Sequence, residues 1–364
     1  MKILFVLENF YPHIGGVETL FKKLTEALVE QGHEVSVLTT RKNNTDKLNE
    51  NMNGVQIHRV PYDNRYKFTF LAGIPAIRLS KDVDIIHTTS YNAAVPAWLA
   101  SKWNGIPSLI TFHEVWAKLW YEMPFMTRMG QLVHYIFEQI ILRLSFKKYI
   151  GVSDYTASAL AANGIKEEKI VRIYNGLNYE EFKVETPPQK GPYDFTFFGR
   201  LGMSKGLDLI IEAASLLKEE KPSLQILLIL PKEPAGFLVE IKKRIEEKNL
   251  NQNIEIVHSL SFDQLKNKIA KAKAVLIPSY SEGFCFAAAE TMALGTPIIS
   301  SGRGALNEVV GGKYLEMKSQ SPEALRDCMK LAIENKWEVK SAQKFELKVT
   351  VDAYIRLYNK LLTS

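Results

Sequence analysis

Cysteine is scarce in this chain of 364 residues, which contains only Cys285 and Cys328. Neither has a partner His or Cys at metal-ligand spacing, so a disulfide framework and a cysteine-based zinc site are excluded and a reducing, cytosolic setting is indicated. No apolar run approaches the roughly 20 residues that span a bilayer. The first apolar run stops at Glu8 without a small-residue cleavage site, so we expect a buried strand there rather than a signal peptide.

Several nucleotide- and nucleic-acid-binding signatures are also missing. The Gly-x-Gly-x-x-Gly fingerprint is absent, which counts against a dinucleotide-dependent dehydrogenase, and no glycine loop has Walker A spacing. There is no RNP-like aromatic signature, zinc-finger spacing or dense Lys/Arg block, so we predict no nucleic-acid partner. The net charge of +6 would suit anionic phosphates or an anionic lipid surface.

The chain does contain a regular alternation of strand and helix patterns, typical of βαβ units and a parallel sheet. Its length exceeds that of one hydrophobic core, and a Pro- and Gly-containing stretch between Lys183 and Tyr193 interrupts the alternation. We therefore predict an α/β protein with Rossmann-like domains at residues 1–185 and 186–348, followed by a C-terminal helix at 349–364. The predicted strands are 2–7, 34–39, 55–60, 85–88, 108–112, 149–152, 194–198, 224–230, 254–257, 274–277 and 297–300. The predicted helices are 17–31, 207–219, 236–248, 262–271, 287–294 and 349–362.

The most informative segment runs from Ser279 to Pro297 and reads SYSEGFCFAAAETMALGTP. A strand ends just before it, a glycine-containing loop follows, and a helix begins near Phe286. Free N–H groups at that helix start would bind a diphosphate or sugar hydroxyls. Glu282 in the loop and Glu290 in the helix could accept hydrogen bonds from the same ligand. Taken singly, each glutamate could equally be structural, in a loop or on a solvated helix face.

A second segment, FFGRLGMSKG from Phe197 to Gly206, joins the first strand and helix of the second domain. Its glycines let the backbone approach a ligand, while Arg200 and Lys205 offer a guanidinium fork and a point charge to phosphate oxygens. Two fixed cations could stabilise a departing nucleoside diphosphate without a metal ion. The alternative is a glycine turn with two solvated cations.

These two segments resemble the Glu-x7-Glu motif and the Gly-Arg-x-x-x-x-Lys-Gly loop of retaining GT-B glycosyltransferases of the family-4 type, and the similarity covers nearly the entire chain. The resemblance implies two Rossmann-like domains facing each other across a cleft, with the N-terminal domain binding the acceptor and the C-terminal domain the nucleotide sugar. The C-terminal helix would cross back to the N-terminal domain. The implied reaction is metal-independent, retaining transfer of a hexose-type sugar from a UDP-sugar or GDP-mannose, with no cofactor.

In that family the first glutamate contacts the transferred sugar and the second holds the ribose, roles that fall on Glu282 and Glu290. Arg200 and Lys205 correspond to the diphosphate clamp, and His113, at the end of a strand, would lie near the reacting sugar. Cys285 stands where the family usually has Gly. The implied donor-binding residues are Gly15, Gly16, Gly199, Gly283, Phe284, Cys285, Phe286 and Glu290.

Residues of the first domain are expected to bind the acceptor. Trp116, Trp120 and Tyr121 could line an acceptor pocket or form buried packing, and His87 is expected only to line the cleft. The Pro12–Gly16 loop resembles the family's Pro-x-x-Gly-Gly loop, although a glycine pair before a helix is otherwise a tight turn. Asp82 and Asp84 begin a strand, away from the end that faces the cleft, so we predict no metal site there.

The segment 127–148 combines an i, i+4 apolar row with basic residues and the single acid Glu138. It could rest on an anionic membrane, which would place a cytoplasmic enzyme with a glycan or lipid-linked acceptor at the inner membrane face. It could equally be a core-facing helix with solvated basic ends. Two rivals to a transferase remain open, namely a GT-B-like sugar-nucleotide epimerase and a non-catalytic two-domain sugar-binding protein. The apolar row is Leu132, Ile136, Ile140 and Leu144, and the basic residues are Arg128, Arg143, Lys147 and Lys148.

Overall fold

The computed structural model describes residues 1–13, 15–43, 45–62, 64–183 and 191–363. The chain forms two compact units. Unit 1 comprises Met1–Glu122, Met126–Gly176 and Phe345–Ser364, and unit 2 comprises Met123–Phe125 and Leu177–Lys344. The predicted domain boundary at residues 185 and 186 lies outside the described residues, and the C-terminal helix belongs to unit 1.

The elements are numbered along the whole chain. The strands are β1 (Lys2–Val6), β2 (Glu34–Thr40), β3 (Asn49–Met52), β4 (Val55–Val60), β5 (Ile85–Thr89), β6 (Ser108–Phe112), β7 (Lys148–Gly151), β8 (Ile170–Arg172), β9 (Phe195–Phe198), β10 (Ile226–Ile229), β11 (Ile254–Val257), β12 (Ala274–Ile277), β13 (Ile298–Ser300), β14 (Gly312–Glu316) and β15 (Glu338–Lys340). The helices are α1 (Gly16–Glu30), α2 (Arg65–Leu71), α3 (Gly73–Leu79), α4 (Ala94–Asn104), α5 (Arg128–Arg143), α6 (Asp154–Ala162), α7 (Leu207–Glu220), α8 (Ala235–Glu247), α9 (Phe262–Lys271), α10 (Phe286–Ala293), α11 (Leu306–Val309), α12 (Pro322–Ile333) and α13 (Leu347–Thr363).

Unit 1 is built on an eight-stranded sheet in the order β3-β4-β2-β1-β5-β6-β7-β8, parallel except for β3. Alternate residues of β1 enter two different cores because successive side chains of a strand point to opposite faces. Ile3 and Phe5 pack with α1 and α13, whereas Leu4 and Val6 pack with α2, α3 and α4. Helix α5 covers the same face as α2–α4, since it packs on Ile110 of the sheet.

Unit 2 repeats this plan with a seven-stranded sheet in the order β11-β10-β9-β12-β13-β14-β15, parallel except for β15. Its strands are apolar on both faces because helices cover both sides of a parallel sheet. Residues of α7, α8 and α12 form one core with β9 and β10. The predicted α/β class with two Rossmann-like domains is confirmed.

The predicted strands and helices match the observed ones to within two residues at each end. The unpredicted strands are β3, β8 and β15, which lie at sheet edges, and β14, which lies next to β15. They are short, and most of their side chains are exposed or half-buried. A short edge strand has only one neighbour to pair with and little apolar surface to bury, so its sequence lacks the buried-strand pattern.

Candidate active site

In unit 2 the chain order of the strands reverses between β9 and β12. From β9 the chain proceeds outward to β10 and β11, whereas β12 leads outward in the other direction to β13 and β14. Such a switch point leaves a crevice beyond the carboxyl ends of the two central strands, where ligands of open α/β sheets bind. The two sequence-predicted segments are the loops that leave β9 and β12 at this point.

The loop after β9 brings Lys205 close to the β12 loop. Gly206 follows Lys205 with a φ of +70°, and a Cβ at this position would lie 2.2 Å from the carbonyl oxygen of Pro278. Only glycine therefore permits this close packing of the two loops. The backbone N–H of Tyr280 donates to the carbonyl of Ser204 at 2.8 Å, which fixes the approach.

Glu282 is the central acceptor of the β12 loop, and its side chain is 7% exposed. Its carboxylate accepts hydrogen bonds from Lys205 Nζ at 2.8 and 2.9 Å and from Ser279 Oγ at 2.7 Å. Its backbone carbonyl accepts from the N–H of Ala305 at 2.7 Å. A Cβ at Gly304 would lie 2.3 Å from that carbonyl, so the loop after β13 also packs closely on Glu282. Three loops thus hold one carboxylate in place.

Cys285 caps the start of α10 in an unusual backbone conformation. Its φ of +73° lies in the left-handed region, which explains why relatives are expected to carry glycine here. Burial and the negative charge of Glu282 raise the pKa of the Cys285 thiol well above its usual value, so the thiol is protonated. Next to it, Phe284 is buried and packs edge to face on Phe286 at 5.3 Å.

The remaining predicted donor residues of unit 2 lie on the same two segments, whereas Gly15 and Gly16 lie in unit 1 at the start of α1. Arg200 is exposed immediately after β9, beside Gly199, whose φ is +151°. Gly283 is buried in the β12 loop, and Glu290 is half-buried about one turn into α10. The structure therefore brings Lys205 and Glu282 into direct contact and carries Arg200 and Glu290 on the flanking residues of the same loops.

Unit 1 has its own switch point between β1 and β5, and the glycine pair follows β1. Gly15 caps α1 in an extended conformation and Gly16 is the first helical residue. A Cβ at residue 15 would lie 2.2 Å from the carboxylate of Glu18, which is folded back over the start of the helix. His13 Nε2 lies 3.8 Å from the same carboxylate. Residue 14 of this loop lies outside the described residues.

His113 follows β6, the strand beside β5, and is half-buried with its ring edge to face on Phe21 at 5.9 Å. His87, expected to line a cleft, is instead fully buried, and that expectation was wrong. Its Nδ1 is 2.7 Å from the hydroxyl of Tyr358 and its Nε2 2.8 Å from that of Thr111. Burial, together with the nearby His113, holds the pKa of His87 well below its usual value. His87 therefore fastens α13 to the sheet.

The predicted acceptor aromatics lie in the segment after His113, which forms a short 3-10 helix at Ala117–Glu122. Trp116 is buried and Trp120 half-buried, with their rings 5.6 Å apart, whereas Tyr121 is exposed. The ring of Trp120 also lies 4.9 Å from that of His134 on α5. Trp116 is therefore a packing residue, and only Trp120 and Tyr121 retain exposed surface for a ligand.

Sequence reasoning missed the role of Glu138. This acid of α5 is fully buried and accepts from Tyr91 Oη at 2.7 Å and from the backbone N–H groups of Trp116 and Ala117 at 2.9 and 2.6 Å. Burial raises the pKa of its carboxyl group. Glu138 thereby fixes the start of the aromatic segment. The available signal was its position: it lies on the helix face opposite the apolar row.

One side of α5 faces the core, as the alternative expected, whereas most of the apolar row lies on the other side and only its last member, Leu144, packs against the core. Ile136 and Ile140 are 48% and 51% exposed, while the buried residues of the helix lie on the opposite side. They are Gln131, Glu138, Ile141 and Leu142. Large exposed apolar side chains in a contiguous row indicate an interaction surface.

Asp84, directly before β5, has a structural role. Asp84 accepts from the backbone N–H of Lys2 at 2.7 Å, at the amino ends of β5 and β1. Among the described ranges there is no group of three or more His, Cys, Asp or Glu residues that could hold a metal ion. In that same part of the chain no helix combines the length and apolarity needed to cross a bilayer.

Comparison with known proteins identifies the family. The model described as Glycosyltransferase Family 4 matches residues 14–181, and Glycosyl transferases group 1 matches residues 178–348. One human relative, a phosphatidylinositol N-acetylglucosaminyltransferase subunit, is 22% identical over 91% of this chain and 68% of its own length. The alpha-monoglucosyldiacylglycerol synthase of Streptococcus pneumoniae is 25% identical, over 86% of this chain and 74% of its own length.

The fold is likewise shared with solved structures. The Anabaena protein HepE, solved in complex with UDP and glucose, superposes with a TM-score of 0.77 at 16% identity, covering 99% of this chain and 100% of that one. The two family models together extend over residues 14–348, nearly the whole chain. The chain therefore belongs to the family-4 type of GT-B glycosyltransferases.

Proposed function

We propose that the enzyme transfers a hexose-type sugar from a UDP-sugar or GDP-mannose to a hydroxyl acceptor, with retention of anomeric configuration and without an essential metal ion or cofactor. The observation that carries this proposal is the Lys205–Glu282 pair at the switch point of unit 2. Lys205 lies just before α7, and Glu282 lies in the loop before α10. A nucleotide sugar supplies both partners that this pair needs, because its hydroxyls donate to a carboxylate and its diphosphate accepts from an ammonium group.

In this proposal unit 2 binds the donor. Glu282 accepts from hydroxyls of the transferred sugar, Glu290 from those of the ribose, and Arg200 and Lys205 contact the diphosphate. When the glycosidic bond breaks, the nucleoside diphosphate gains negative charge, and the two cations stabilise it. Retention then proceeds by transfer on the face from which the diphosphate leaves, and a phosphate oxygen takes the proton of the incoming hydroxyl. The UDP-bound state of HepE supports a uridine nucleotide as one candidate donor.

Unit 1 binds the acceptor in the same proposal. Trp120 and Tyr121 are its contact residues, and Glu138 holds the start of the segment that contains them. His113 lies near the reacting sugar and helps to orient it. The names of two relatives contain lipids, phosphatidylinositol in one and monoglucosyldiacylglycerol in the other. A lipid acceptor agrees with the outward-facing apolar row of α5 and its basic ends, Arg128 and Arg143. The enzyme would then be cytoplasmic and in peripheral contact with an anionic membrane.

Donor binding is tested by thermal shift against UDP, GDP, ADP and their sugars, because a ligand that binds the folded state raises its stability. One nucleotide should raise the melting temperature selectively. Arg200→Ala and Glu290→Ala should each weaken this shift and lower turnover strongly while the fold survives. The variant Arg326→Ala, which removes an ion pair with Asp327 on α12, is the matched control. Near-normal transfer by both site variants would refute the assignment.

Reaction type and membrane contact have separate tests. The anomeric configuration of the product, read by NMR, should equal that of the donor, and turnover should persist in EDTA. Interconversion of the donor sugar without an acceptor would support the epimerase instead. Flotation with anionic liposomes should show binding that weakens as salt rises. Absence of flotation at low salt would remove the membrane part of the proposal.

A further inference from the structure

Helices α2, α3 and α4 of unit 1 expose a second group of large apolar side chains. Phe70 is 75% exposed, Ile74 63% and Trp103 77%. These side chains lie on helices whose inner sides are already packed on the sheet. The other members of this group, which we call the α2–α4 corner, are Tyr66, Leu71 and Leu99.

The members of the corner come from helices that pack on one another. A Cβ at Gly73, the first residue of α3, would lie 3.1 Å from Cδ1 of Leu99 on α4, so Ile74 begins its helix beside α4. Leu99 and Trp103 are four residues apart and share one face of α4. Phe70 and Leu71 end α2 immediately before this junction. The six side chains therefore lie on three helices that pack against one another on one face of the sheet.

The helices of the corner themselves carry charge of one sign, although Arg65 is paired with Glu8 at 3.3 Å and the exposed Asp82 follows α3. Residues 65–79 and 94–104 contain no Asp or Glu and four basic residues. Helix α5, on the same face of the sheet, adds two arginines, and its one acid, Glu138, is fully buried. The outer face of α2–α5 is therefore basic and apolar. The basic residues of α2–α4 are Arg65, Lys67, Arg78 and Lys102.

The combination of exposed apolar and basic side chains indicates which partner binds the α2–α4 corner. A second copy of the chain would bring basic helices against basic helices, and like charges across an interface repel. A bilayer that contains anionic lipid matches both properties, because its headgroups attract Lys and Arg and its interface accommodates Trp and Phe side chains. We propose that the α2–α4 corner inserts into an anionic membrane surface, with Phe70, Ile74 and Trp103 entering the interface and Lys67, Arg78 and Lys102 contacting headgroups.

This inference rests on the membrane contact in the proposed function and adds a second, independent contact to the one on α5. It gives unit 1 a defined orientation, because α2–α5 would all face the lipid while α1 and α13, on the other side of the sheet, would face away. An acceptor that is itself a lipid would then be drawn from the surface on which the enzyme rests.

The test uses the full chain and vesicles of phosphatidylcholine with about one third phosphatidylglycerol. In one sample the phosphatidylcholine is brominated, because bromine atoms quench the fluorescence of nearby tryptophans. We expect tryptophan fluorescence to be quenched on binding and most of the quenching to be lost in Trp103→Phe, which keeps an aromatic side chain. We expect Phe70→Ser/Trp103→Ser to reduce partitioning at least about ten-fold, since two large apolar side chains lose their burial.

The matched control is Val239→Ser/Val339→Ser, which removes two exposed apolar side chains from unit 2 and should leave binding unchanged. Undiminished quenching in Trp103→Phe, or unchanged partitioning of Phe70→Ser/Trp103→Ser, would overturn this inference while the contact through α5 stands. Equal binding to vesicles without phosphatidylglycerol would overturn the charge argument. If the unaltered chain does not bind anionic vesicles at all, the membrane part of the proposed function fails with it.

Discussion

The ammonium group of Lys205 donates to both carboxylate oxygens of Glu282, at 2.8 and 2.9 Å, across 77 residues of sequence. The two residues assigned to the diphosphate and to the sugar are therefore partners of each other. In the proposed function, donor binding separates this pair, because the diphosphate of the donor attracts Lys205 away from the carboxylate while the sugar of the same donor binds Glu282. The pair keeps each charge compensated until the donor arrives, since a partly buried ion without a partner is costly.

The first prediction follows from this competition. In Glu282→Gln the nucleoside diphosphate should bind about three- to ten-fold more tightly, because a negative charge next to Lys205 is removed. Sugar transfer should nevertheless fall by roughly 100-fold or more, a few kcal/mol of transition-state stabilisation. Titration calorimetry and a transfer assay measure the two effects. Glu334→Gln, which alters the exposed pair with Lys336, should change neither. Weaker nucleotide binding in Glu282→Gln would contradict the competition.

A second prediction concerns Cys285 and its left-handed backbone. Cys285→Gly should be more stable than Cys285→Ala by about 1 kcal/mol, because alanine keeps the Cβ that is strained at a φ of +73° and glycine does not. Both variants lack the sulfur, so their difference isolates the backbone. The melting temperature of the glycine variant should be about 2–4 °C higher. A more stable alanine variant would show that φ is negative in solution.

A third prediction concerns the buried His87. An unfolded chain protonates this histidine as the pH falls below about 6.5, whereas the folded chain, in which its pKa is lowered, does so only at lower pH. The unfolded state therefore binds more protons in that window. As the pH is lowered through it, the free energy of unfolding decreases by up to about 1.4 kcal/mol per pH unit. Urea unfolding at pH 7.5, 6.5 and 5.5 measures this slope. It should be shallower in His87→Gln, and equal slopes would contradict the argument.

A fourth prediction distinguishes acceptor binding from donor binding. Glu138→Ala leaves the N–H groups of Trp116 and Ala117 without their carboxylate, which costs roughly 1.5–3 kcal/mol for each hydrogen bond to a charged group. Transfer to a lipid or glycan acceptor should fall at least about ten-fold. Hydrolysis of the donor by water and the thermal shift with nucleotide should stay near normal. Gln139→Ala on the same helix is the control. A parallel loss of hydrolysis would indicate general unfolding.

Much of the candidate site could be predicted from local sequence patterns. Glycines at 199 and 206, the carboxylates at 282 and 290 and the cations at 200 and 205 lie on loops between a buried strand and a helix, and both patterns are readable over ten residues. The contact between Lys205 and Glu282 was not readable in that way. It depends on Gly206 passing within 2.2 Å of Pro278, which follows from the neighbouring positions of β9 and β12 in the sheet.

The sequence by itself determined that this protein has two α/β domains with mainly parallel sheets and with glycine-containing loops after β9 and β12, because strand and helix periodicity and turn residues act over short distances. Only the tertiary structure decided which faces are inside. Helix α5 has apolar residues on both sides, and the sheet beneath it selects Ile141 and Leu142 while leaving Ile136 and Ile140 outside. His87 became a core residue because Tyr358, 271 residues away, supplies its hydrogen bond. Burial depends on such distant partners, and no local pattern contains them.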